Sequence, residues 1–240
     1  MGGVPSVPTD PNRTLAVIGA GFARTGTVSM ALAFETLLDG PVCHGGTQLL
    51  GREDAYVRKW LAVYAAGDDR PKRLKALREA TRGFVAIADT PGTHFIGELC
   101  ELYPDAKVVC WRRDPQRWWK SMEQMIKRSM PRWLGWGRAM LIENGYDKGP
   151  GPDILEYHYD YVKKVVPKER LYWTQLGDWA SLCEILEKPV PNEPFPRAND
   201  SEAVETTAKY VFRRTAMVWM GLIVVAGAVC YAGWQAQTMY

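Results

Sequence analysis

Arg24, Thr25, Thr27 and Ser29 are four side-chain hydrogen-bond donors in one short glycine-rich stretch, GAGFARTGTVS at 19–29. The guanidinium carries a positive charge, and each hydroxyl can donate one hydrogen bond. A glycine-rich loop can add backbone N–H groups that point to the same place. This combination favours binding of a phosphate or sulfate, and we predict contacts from six consecutive residues, Arg24, Thr25, Gly26, Thr27, Val28 and Ser29.

The elements on either side of this stretch would position its donors. Residues 15–18 are apolar without alternation, as in a strand that is buried on both faces. After the loop, Met30, Phe34 and Leu37 fall on one stripe of a helix. In such a strand–loop–helix unit, the loop amides and the positive end of the helix dipole are directed at one point, where an anion can bind.

Two known glycine signatures match this loop only in part. The dinucleotide-binding pattern GxGxxG fits Gly19 and Gly21, but Arg24 stands at the third glycine, where its bulk would prevent close helix packing. The nucleotide P-loop pattern GxxxxGKS/T fits Gly21 and Gly26, but Thr27 stands at the lysine. We therefore do not expect a nicotinamide site, and Arg24 would have to supply the cation that neutralises a bound phosphate.

Several motifs follow one another in an order that is similar to one family. VIGAGFARTGTVSM resembles the 5′-phosphosulfate loop of the sulfotransferase superfamily, in the branch that has a GAGFGRTGT-type loop. GPVCH at 40–44 is similar to that branch's GPCYH, ADTP at 88–91 to its VDWP, and YPDAKVVCWRRDPQRWWKS at 103–121 to its YPDAKVILTVRDPERWYES. The likeness covers most of residues 14–200.

The resemblance implies an α/β domain at 14–200 with a three-layer, P-loop-like fold and a central parallel sheet. It also implies 3′-phosphoadenosine-5′-phosphosulfate (PAPS) as the cofactor, with no metal. Arg113 and Ser121 match the family residues that bind the 3′-phosphate of this nucleotide. The local sequence agrees, because Arg113, like Arg24, follows the carboxyl end of a predicted strand, and Ser121 lies about two turns into the next helix.

Three residues are candidates for the base that takes the acceptor's proton. His44 lies in a predicted turn that could fold over the loop, and the likeness to GPCYH supports a catalytic role, although Cys43 replaces the family tyrosine. Asp89 ends the apolar stretch FVAIAD at 84–89, which is predicted to be a buried strand, and His94 is the third candidate. In a nucleotide kinase or NTPase, an aspartate in the position of Asp89 would hold magnesium.

Length and composition fit one α/β domain with an appendage. With 240 residues the chain can bury a sizeable core, and the net charge of +3 is too small and too dispersed to argue for nucleic-acid binding. The cysteines are odd in number and widely spaced, which is typical of reduced residues in a cytosol-like compartment. Neither they nor the histidines have metal-binding spacing.

The two ends of the chain differ from the domain. Residues 1–13 are predicted to form a flexible arm without a signal peptide. Residues 201–215 are predicted to form a juxtamembrane helix, 216–234 a transmembrane helix and 235–240 a tail. The stretch AMVWMGLIVVAGAVCYAGW at 216–234 has no charged residue, and as a helix it would be roughly 28 Å long, about the thickness of a hydrocarbon core.

The charges around this apolar stretch predict its orientation. Lys209, Arg213 and Arg214 precede it, and no charged side chain follows it. By the positive-inside rule the large domain would face the cytosol, as in a single-pass, tail-anchored membrane protein. Such a helix could also pair with a protein partner in the membrane.

The function predicted from these features is transfer of a sulfuryl group from PAPS to a hydroxyl or amine of a small or amphiphilic acceptor at a membrane surface. Arg24 and the loop amides would stabilise the transferred group, and His44 or Asp89 would take the proton. Two alternatives stay open: a non-catalytic sulfotransferase-like adaptor or membrane-complex subunit, and a P-loop nucleotide kinase or NTPase. For residues 129–151, a lid, an acceptor wall and plain surface structure are equally compatible with the sequence.

Overall fold

The computed structural model describes residues 5–129, 151–198, 212–213 and 215–228. The chain divides into two units, one of residues 3–198 and the other of residues 1–2 and 199–240. The segment 129–151 and the predicted juxtamembrane helix 201–215 lie almost entirely outside the described residues, and the predicted tail 235–240 lies wholly outside them.

Strands and helices alternate along the first unit. The strands are β1 (Val17–Gly19), β2 (Val42–His44), β3 (Ala86–Ala88), β4 (Lys107–Arg112) and β5 (Leu171–Gln175). The helices are α1 (Thr27–Leu38), α2 (Gly45–Gly51), α3 (Asp54–Ala65), α4 (Arg70–Thr81), α5 (Ile96–Leu102), α6 (Pro115–Ser129), α7 (Asp153–Val165) and α8 (Trp179–Leu186). Short 3₁₀ turns precede α5 and β5, at Gly92–Phe95 and Lys168–Arg170.

The five strands are parallel and form one sheet in the order β2-β3-β1-β4-β5. β1 is central, with Val17 opposite Ala86 of β3 and Lys107 of β4. Because the strands are parallel, their carboxyl ends meet at one edge of the sheet, and the loops that follow them lie there. We call this the carboxyl edge. The central parallel sheet predicted from the sequence is confirmed.

Alternate side chains of the strands enter two separate apolar cores. Ile18 and Ile87 belong to a core that includes residues of α3, α4, α5, α6 and α7. Val17 and Val109 belong to a second core, which includes residues of α1 and α8. Helices therefore cover both faces of the sheet, and the unit has three layers.

The first three strands differ from the predicted ones, and β1 begins at Val17 rather than at residue 15. β3 is shorter than the stretch 84–89, since only Ala86–Ala88 are paired. The prediction of a turn at 40–44 is wrong, because Val42–His44 form the edge strand β2, with Cys43 opposite Ile87 of β3. Three residues are too few to show a periodic pattern, so this strand is determined by its pairing with β3 rather than by its own sequence.

Residues 5–13, the described part of the predicted flexible arm, are bound to the domain at several points. The Arg13 guanidinium donates to the carbonyls of Leu38 and Asp39 at the end of α1, over 3.0 Å and 2.7 Å. Ser6 Oγ accepts a 3.2 Å hydrogen bond from the Val42 amide at the start of β2. These bonds hold the connection between α1 and β2, and they help to place β2 beside β3.

In the second unit, residues 212–213 and 215–228 are helical. Their large apolar side chains are exposed, for example Trp219 at 62% and Ile223 at 67%. No helix in the described part of the chain combines the length and the apolarity needed to cross a membrane. The predicted transmembrane helix 216–234 extends past residue 228, so its last six positions are outside the described residues.

Candidate functional site

The loop between β1 and α1, residues 20–26, is called the anion loop below. Side-chain donors engage five of its carbonyl oxygens, four of them from the surrounding protein and one from Thr25 of the loop itself. The pairs are His158 Nε2 to Ala20 at 2.7 Å, Thr25 Oγ1 to Phe22 at 2.6 Å, Trp118 Nε1 to Ala23 at 2.8 Å, Arg113 Nη1 to Arg24, and Trp111 Nε1 to Thr25 at 3.1 Å. The N–H groups of Ala20 and Thr25 donate to the carbonyls of Val109 and Phe22. Because the loop carbonyls are bonded on the protein side, the other N–H groups of the loop can be presented to a ligand.

Helix α1 begins directly after the anion loop without a side-chain cap. The first N–H groups of a helix have no partner within it, and with the positive end of the dipole they favour a negative ligand. Gly26, at the N-cap, has a φ of +94°, which favours glycine at this position. A Cβ there would overlap the end of the exposed Leu176 side chain, which would have to move. Val28 is half-buried in the first turn, where it can contribute its backbone N–H.

Two cations reach the anion loop from different strands. Arg24 belongs to the loop, and its Nε lies 3.4 Å from Ser121 Oγ of α6. Arg113 follows β4, and its guanidinium donates to the Arg24 carbonyl while its backbone N–H donates to Tyr159 Oη at 3.0 Å. The fold therefore brings together Arg24, Arg113 and Ser121, the residues predicted to hold the nucleotide.

The three other polar residues predicted for the cofactor are buried and bonded within the protein. Thr25 is 1% exposed, and its N–H and hydroxyl both donate to the carbonyl of residue 22, so they shape the loop. Thr27 Oγ1 lies 3.0 Å from His44 Nε2. Ser29 Oγ accepts a 3.0 Å hydrogen bond from the Ala198 amide. Of these, Thr27 is the one that connects the anion loop to a candidate base.

The candidate bases His44 and Asp89 meet at the ends of β2 and β3. His44 Nε2 lies 3.3 Å from Asp89 Oδ2, and the Thr47 amide donates to His44 Nδ1 at 3.4 Å. Asp89 has a φ of +69°, and its Oδ1 is buried with no hydrogen-bond partner among the residues that the structure describes. His94 lies beyond them, with Nδ1 2.9 Å from the Tyr64 hydroxyl, and burial lowers its pKa.

Burial determines the ionisation of two further groups around the site. It lowers the pKa of His158 to about 4, so the ring is neutral near pH 7 and donates one N–H to Ala20. It raises the pKa of Cys43 to about 12, and the sulfur lies 3.3 Å from Tyr56 Oη. A thiol that stays protonated is a poor nucleophile. Cys43 is therefore a core residue beside His44 rather than a reactive one.

The described residues form cavities at different places around the sheet. One of about 20 Å³ lies between α1 and β2 and is lined by Val28, Glu35 and His44, among others. Another of about 480 Å³ lies at the edge opposite to the carboxyl edge, where Leu15 and Ala106 precede β1 and β4. Within the described ranges, no three His, Cys, Asp or Glu side chains are grouped as metal ligands. The cations and helix N-terminus thus lie at one edge, and the roomier cavity lies at the other.

The parallel sheet, the anion loop and the two arginines agree with a comparison of the whole sequence. A family model described as a sulfotransferase domain matches residues 16–145 and 136–204. The chain belongs to the sulfotransferase family. A relative from Aspergillus versicolor, Ava biosynthesis cluster protein M, is 30% identical over 78% of this chain and 82% of that protein.

Two solved structures are similar to this sulfotransferase-family chain. A sulfotransferase from Alicyclobacillus acidocaldarius is 16% identical, covers 85% of this chain and 95% of that one, and has a TM-score of 0.43. An uncharacterized protein from Eubacterium ventriosum is 12% identical, covers 72% of this chain and 97% of that one, and has a TM-score of 0.33. Family membership rests on the domain model and the Aspergillus relative.

The side chains that hold the anion loop from behind could not be recognised in the sequence. Trp111, Trp118 and His158 bond to its carbonyls, and Tyr159 holds the Arg113 amide. A large aromatic residue in an apolar stretch is ordinarily a core residue, and these are buried as such. Their polar role depends on where the fold places their N–H or O–H groups, which no spacing in the sequence indicates.

Proposed function

We propose that this sulfotransferase-family protein transfers a sulfuryl group from PAPS to a hydroxyl or amine of a small or amphiphilic acceptor. One observation carries the proposal: Arg24, Arg113 and Ser121 converge from three parts of the chain on a loop that leads into an uncapped helix N-terminus. Two cations and the backbone N–H donors of a helix N-terminus are what a nucleotide with two separate anionic groups requires.

The residues present fit the nucleotide. The amides of the anion loop, the first turn of α1 and Arg24 would hold the 5′-phosphosulfate, while Arg113 and Ser121 would hold the 3′-phosphate. A guanidinium has five N–H donors, so the bond from Arg113 to the Arg24 carbonyl leaves others for a phosphate. When bound, PAPS supplies a sulfuryl group on a phosphate leaving group. Arg24 and the loop amides stabilise the charge that develops there, and His44 or Asp89 takes the proton.

The nucleotide kinase or NTPase alternative has less support. Thr27 stands where a P-loop has its lysine, and its hydroxyl is bonded to His44. Asp89 stands in the position of a magnesium ligand, but its Oδ2 pairs with His44. The adaptor alternative keeps the fold and carries out no sulfuryl transfer.

Calorimetric titration with adenosine 3′,5′-bisphosphate (PAP), with and without magnesium, distinguishes the three functions. We expect binding that does not depend on magnesium. Arg113→Ala should weaken it about tenfold or more, as expected when charge-assisted hydrogen bonds are lost. The matched control is Arg117→Ala, which removes the same charge from an exposed position on α6 and should leave the Kd unchanged.

The other outcomes of this titration each contradict the proposal. Absence of PAP binding by the wild-type protein supports an adaptor, and binding that requires magnesium and a nucleoside triphosphate supports an NTPase. If PAP binds, transfer of labelled sulfate is then measured with a panel of phenols, alcohols and amines. Labelled product that depends on Arg113 supports an enzyme, whereas an intact, PAP-binding protein without product would count against catalysis.

We also propose that residues 216–234 anchor the protein in a membrane, with the first unit on the cytosolic side. Support comes from the exposed apolar side chains at 217–220 and 222–225, which extend around the full circumference of a helix, and from basic Arg213 just before them. The full-length protein should stay with membranes after a carbonate wash. Val224→Arg should release it, since a central arginine costs about 2.5–3.5 kcal/mol, and Val190→Arg should not. A soluble wild-type protein would refute the anchor.

A further inference from the structure

Three polar side chains meet at the carboxyl edge, from the ends of β2 and β3 and from the start of α1. His44 Nε2 lies 3.0 Å from Thr27 Oγ1 and 3.3 Å from Asp89 Oδ2. On the other side of the ring, His44 Nδ1 lies 3.4 Å from the backbone nitrogen of Thr47 in α2. His44 is 5% exposed, so these protein groups define its polar surroundings.

These contacts determine which ring nitrogen of His44 carries the proton. A backbone N–H can only donate, so Nδ1 accepts from Thr47 and is unprotonated. The ring proton is then on Nε2, where it faces the Asp89 carboxylate. Because the Thr47 amide uses the lone pair and Asp89 uses the N–H, neutral His44 has no nitrogen left to take a proton from an acceptor.

The two carboxylate oxygens of Asp89 differ in their hydrogen bonding. Its Oδ2 accepts from His44, whereas its Oδ1 is buried without a hydrogen-bond partner in the described part of the chain. A buried acceptor without a partner costs roughly 1–3 kcal/mol, and more when it is charged. Asp89 also has a left-handed φ of +69°, which is unfavourable for a residue other than glycine and tends to occur at functional sites. Both costs fall on the residue that directly follows β3, beside the anion loop.

We propose that Asp89 is the catalytic base and that His44 is a positioning residue that fixes the Asp89 carboxylate; this inference rests on the proposed function. As the acceptor oxygen bonds to sulfur, its O–H bond breaks and the proton passes to Asp89 Oδ1. The bond between sulfur and the phosphate oxygen breaks at the same time, and its electron pair stays on the departing PAP. The His44 N–H holds Oδ2 throughout, so that Oδ1 keeps its direction.

Two other titratable groups lie near this pair. His94, on the 3₁₀ turn after β3, interacts electrostatically with Asp89, and burial lowers its pKa, so it is neutral near pH 7. Glu35 of α1 interacts with His44, and burial raises its pKa. Neither is hydrogen-bonded to Asp89 Oδ1, so neither competes for the position at which the proton is received.

Four variants separate this assignment from one in which His44 is the base. Activity is measured with PAPS and a panel of phenols, and PAP affinity is measured for each variant as the readout of donor binding. Asp89→Asn should lower kcat by about 10²–10⁴-fold, the usual contribution of a general base, with unchanged PAP affinity; Asp89→Ala should do the same. His44→Gln, whose amide can still donate to Oδ2, should retain far more activity than His44→Ala.

The opposite pattern would overturn the assignment: His44→Gln as inactive as His44→Ala, with substantial activity left in Asp89→Asn. Failure of the wild-type protein to bind PAP would instead contradict the proposed function, so the two failures are distinguishable.

Nitrogen-15 NMR of the histidine side chains tests the same arrangement without any acceptor. In the PAP-bound protein, His44 should carry its proton on Nε2 and accept at Nδ1, and His44→Gln identifies its signals by their loss. The same state should persist in the free protein. A proton on Nδ1 with an unprotonated Nε2 would leave His44 free to act as the base, and it would overturn the inference.

Discussion

At the scale of single residues, indole N–H groups fix the shape of the anion loop. The fully buried Trp118 ring donates to the Ala23 carbonyl at 2.8 Å. Trp118→Phe keeps an aromatic ring but leaves that buried carbonyl without its donor. The free energy of unfolding should therefore fall by roughly 1–3 kcal/mol, and PAP should bind more weakly. Urea unfolding followed by circular dichroism and calorimetric titration measure the two effects.

Trp119→Phe is the matched control for this prediction. Trp119 is the next residue on α6 and is partly exposed. The centroid of its ring lies 6.0 Å from that of the Trp118 ring. Its replacement should change the unfolding free energy and the PAP affinity much less than Trp118→Phe. Equal effects of the two substitutions would mean that the loss of aromatic packing, and not of the Ala23 hydrogen bond, dominates.

The buried ring of His158 should make stability depend on pH. Burial lowers its pKa to about 4 in the folded protein, against about 6.5 in the unfolded chain. Between these values the unfolded state binds the proton and the folded state does not, so the free energy of unfolding falls as the pH falls. The slope is at most about 1.4 kcal/mol per pH unit for one group. It is measured by urea unfolding at a series of pH values.

His158→Gln isolates this contribution, because the side chain keeps an N–H donor but does not titrate. The difference in unfolding free energy between the two proteins should shrink steadily from pH 7 to pH 4.5. Carboxylates that also titrate in this range contribute equally to both proteins and cancel in the difference. A difference that stays constant with pH would show that His158 is not held neutral by its surroundings.

The position of a residue could be predicted where it follows from a general rule for parallel sheets. It could not be predicted where it depends on the pairing of a short strand. Arg113 follows a strand, and parallel strands end at one edge, so its meeting with Arg24 was predictable from the sequence. The contact of His44 with Asp89 depends on β2, a three-residue edge strand that the sequence analysis takes for a turn. Without that strand nothing in the sequence brings the two side chains within hydrogen-bond distance.

At the scale of elements, the junction of the anion loop with α1 depends on one glycine. Gly26 has a φ of +94°, and a Cβ there would overlap Leu176, which follows β5. Gly26→Ala should therefore lower the unfolding free energy by about 1–3 kcal/mol through backbone strain, with a further cost from the overlap. It should also weaken PAP binding, because the first N–H groups of α1 are displaced. Urea unfolding and calorimetry measure the two.

A double-mutant cycle with Leu176→Ala separates the two costs of Gly26→Ala. The overlap disappears in the double variant, whereas the left-handed φ remains, so Gly26→Ala should cost less in the Leu176→Ala background but still be destabilising. Gly97→Ala is the control within a helix, since a Cβ there meets Val165 at an ordinary 3.7 Å; it should be neutral or stabilising by up to about 1 kcal/mol. Identical costs of Gly26→Ala in both backgrounds would contradict the contact with Leu176.

Long elements with a strong pattern were predictable, and short ones were not. The stretch KVVCW at 107–111, which is apolar after Lys107, corresponds to β4, Lys107–Arg112, because the buried part of a parallel strand is continuously apolar. The sequence analysis also identifies the strand–loop–helix unit around α1, although β1 is Val17–Gly19 and so begins two residues later than predicted. Strand ends depend on pairing partners that lie far away in the chain, which a local pattern cannot contain.

At the scale of the whole molecule, the order of the motifs was more informative than any one of them. Each segment alone, such as ADTP at 88–91, is short enough to occur by chance. The order of these motifs along residues 14–200 predicted the family, and the family model matches residues 16–145 and 136–204. The same ordering could not predict that the roomier cavity lies at the edge of the sheet opposite to the anion loop, because it is lined by segments that are far apart in the chain, before β1 and at the ends of α4 and α5.

PAP should stabilise the whole protein and slow hydrogen exchange at the edge of the sheet where it binds. At a hundredfold excess over Kd, binding adds about 2.7 kcal/mol to stability, which is about 5–10 °C in Tm for a chain of this size. Hydrogen exchange should slow at the carboxyl edge, in the anion loop, the first turn of α1 and the start of α6. It should stay unchanged, beyond the general stabilisation, around the cavity between Leu15 and Ala106. If protection instead concentrates there, PAP binds at the opposite edge, and the two arginines hold the loop rather than the nucleotide.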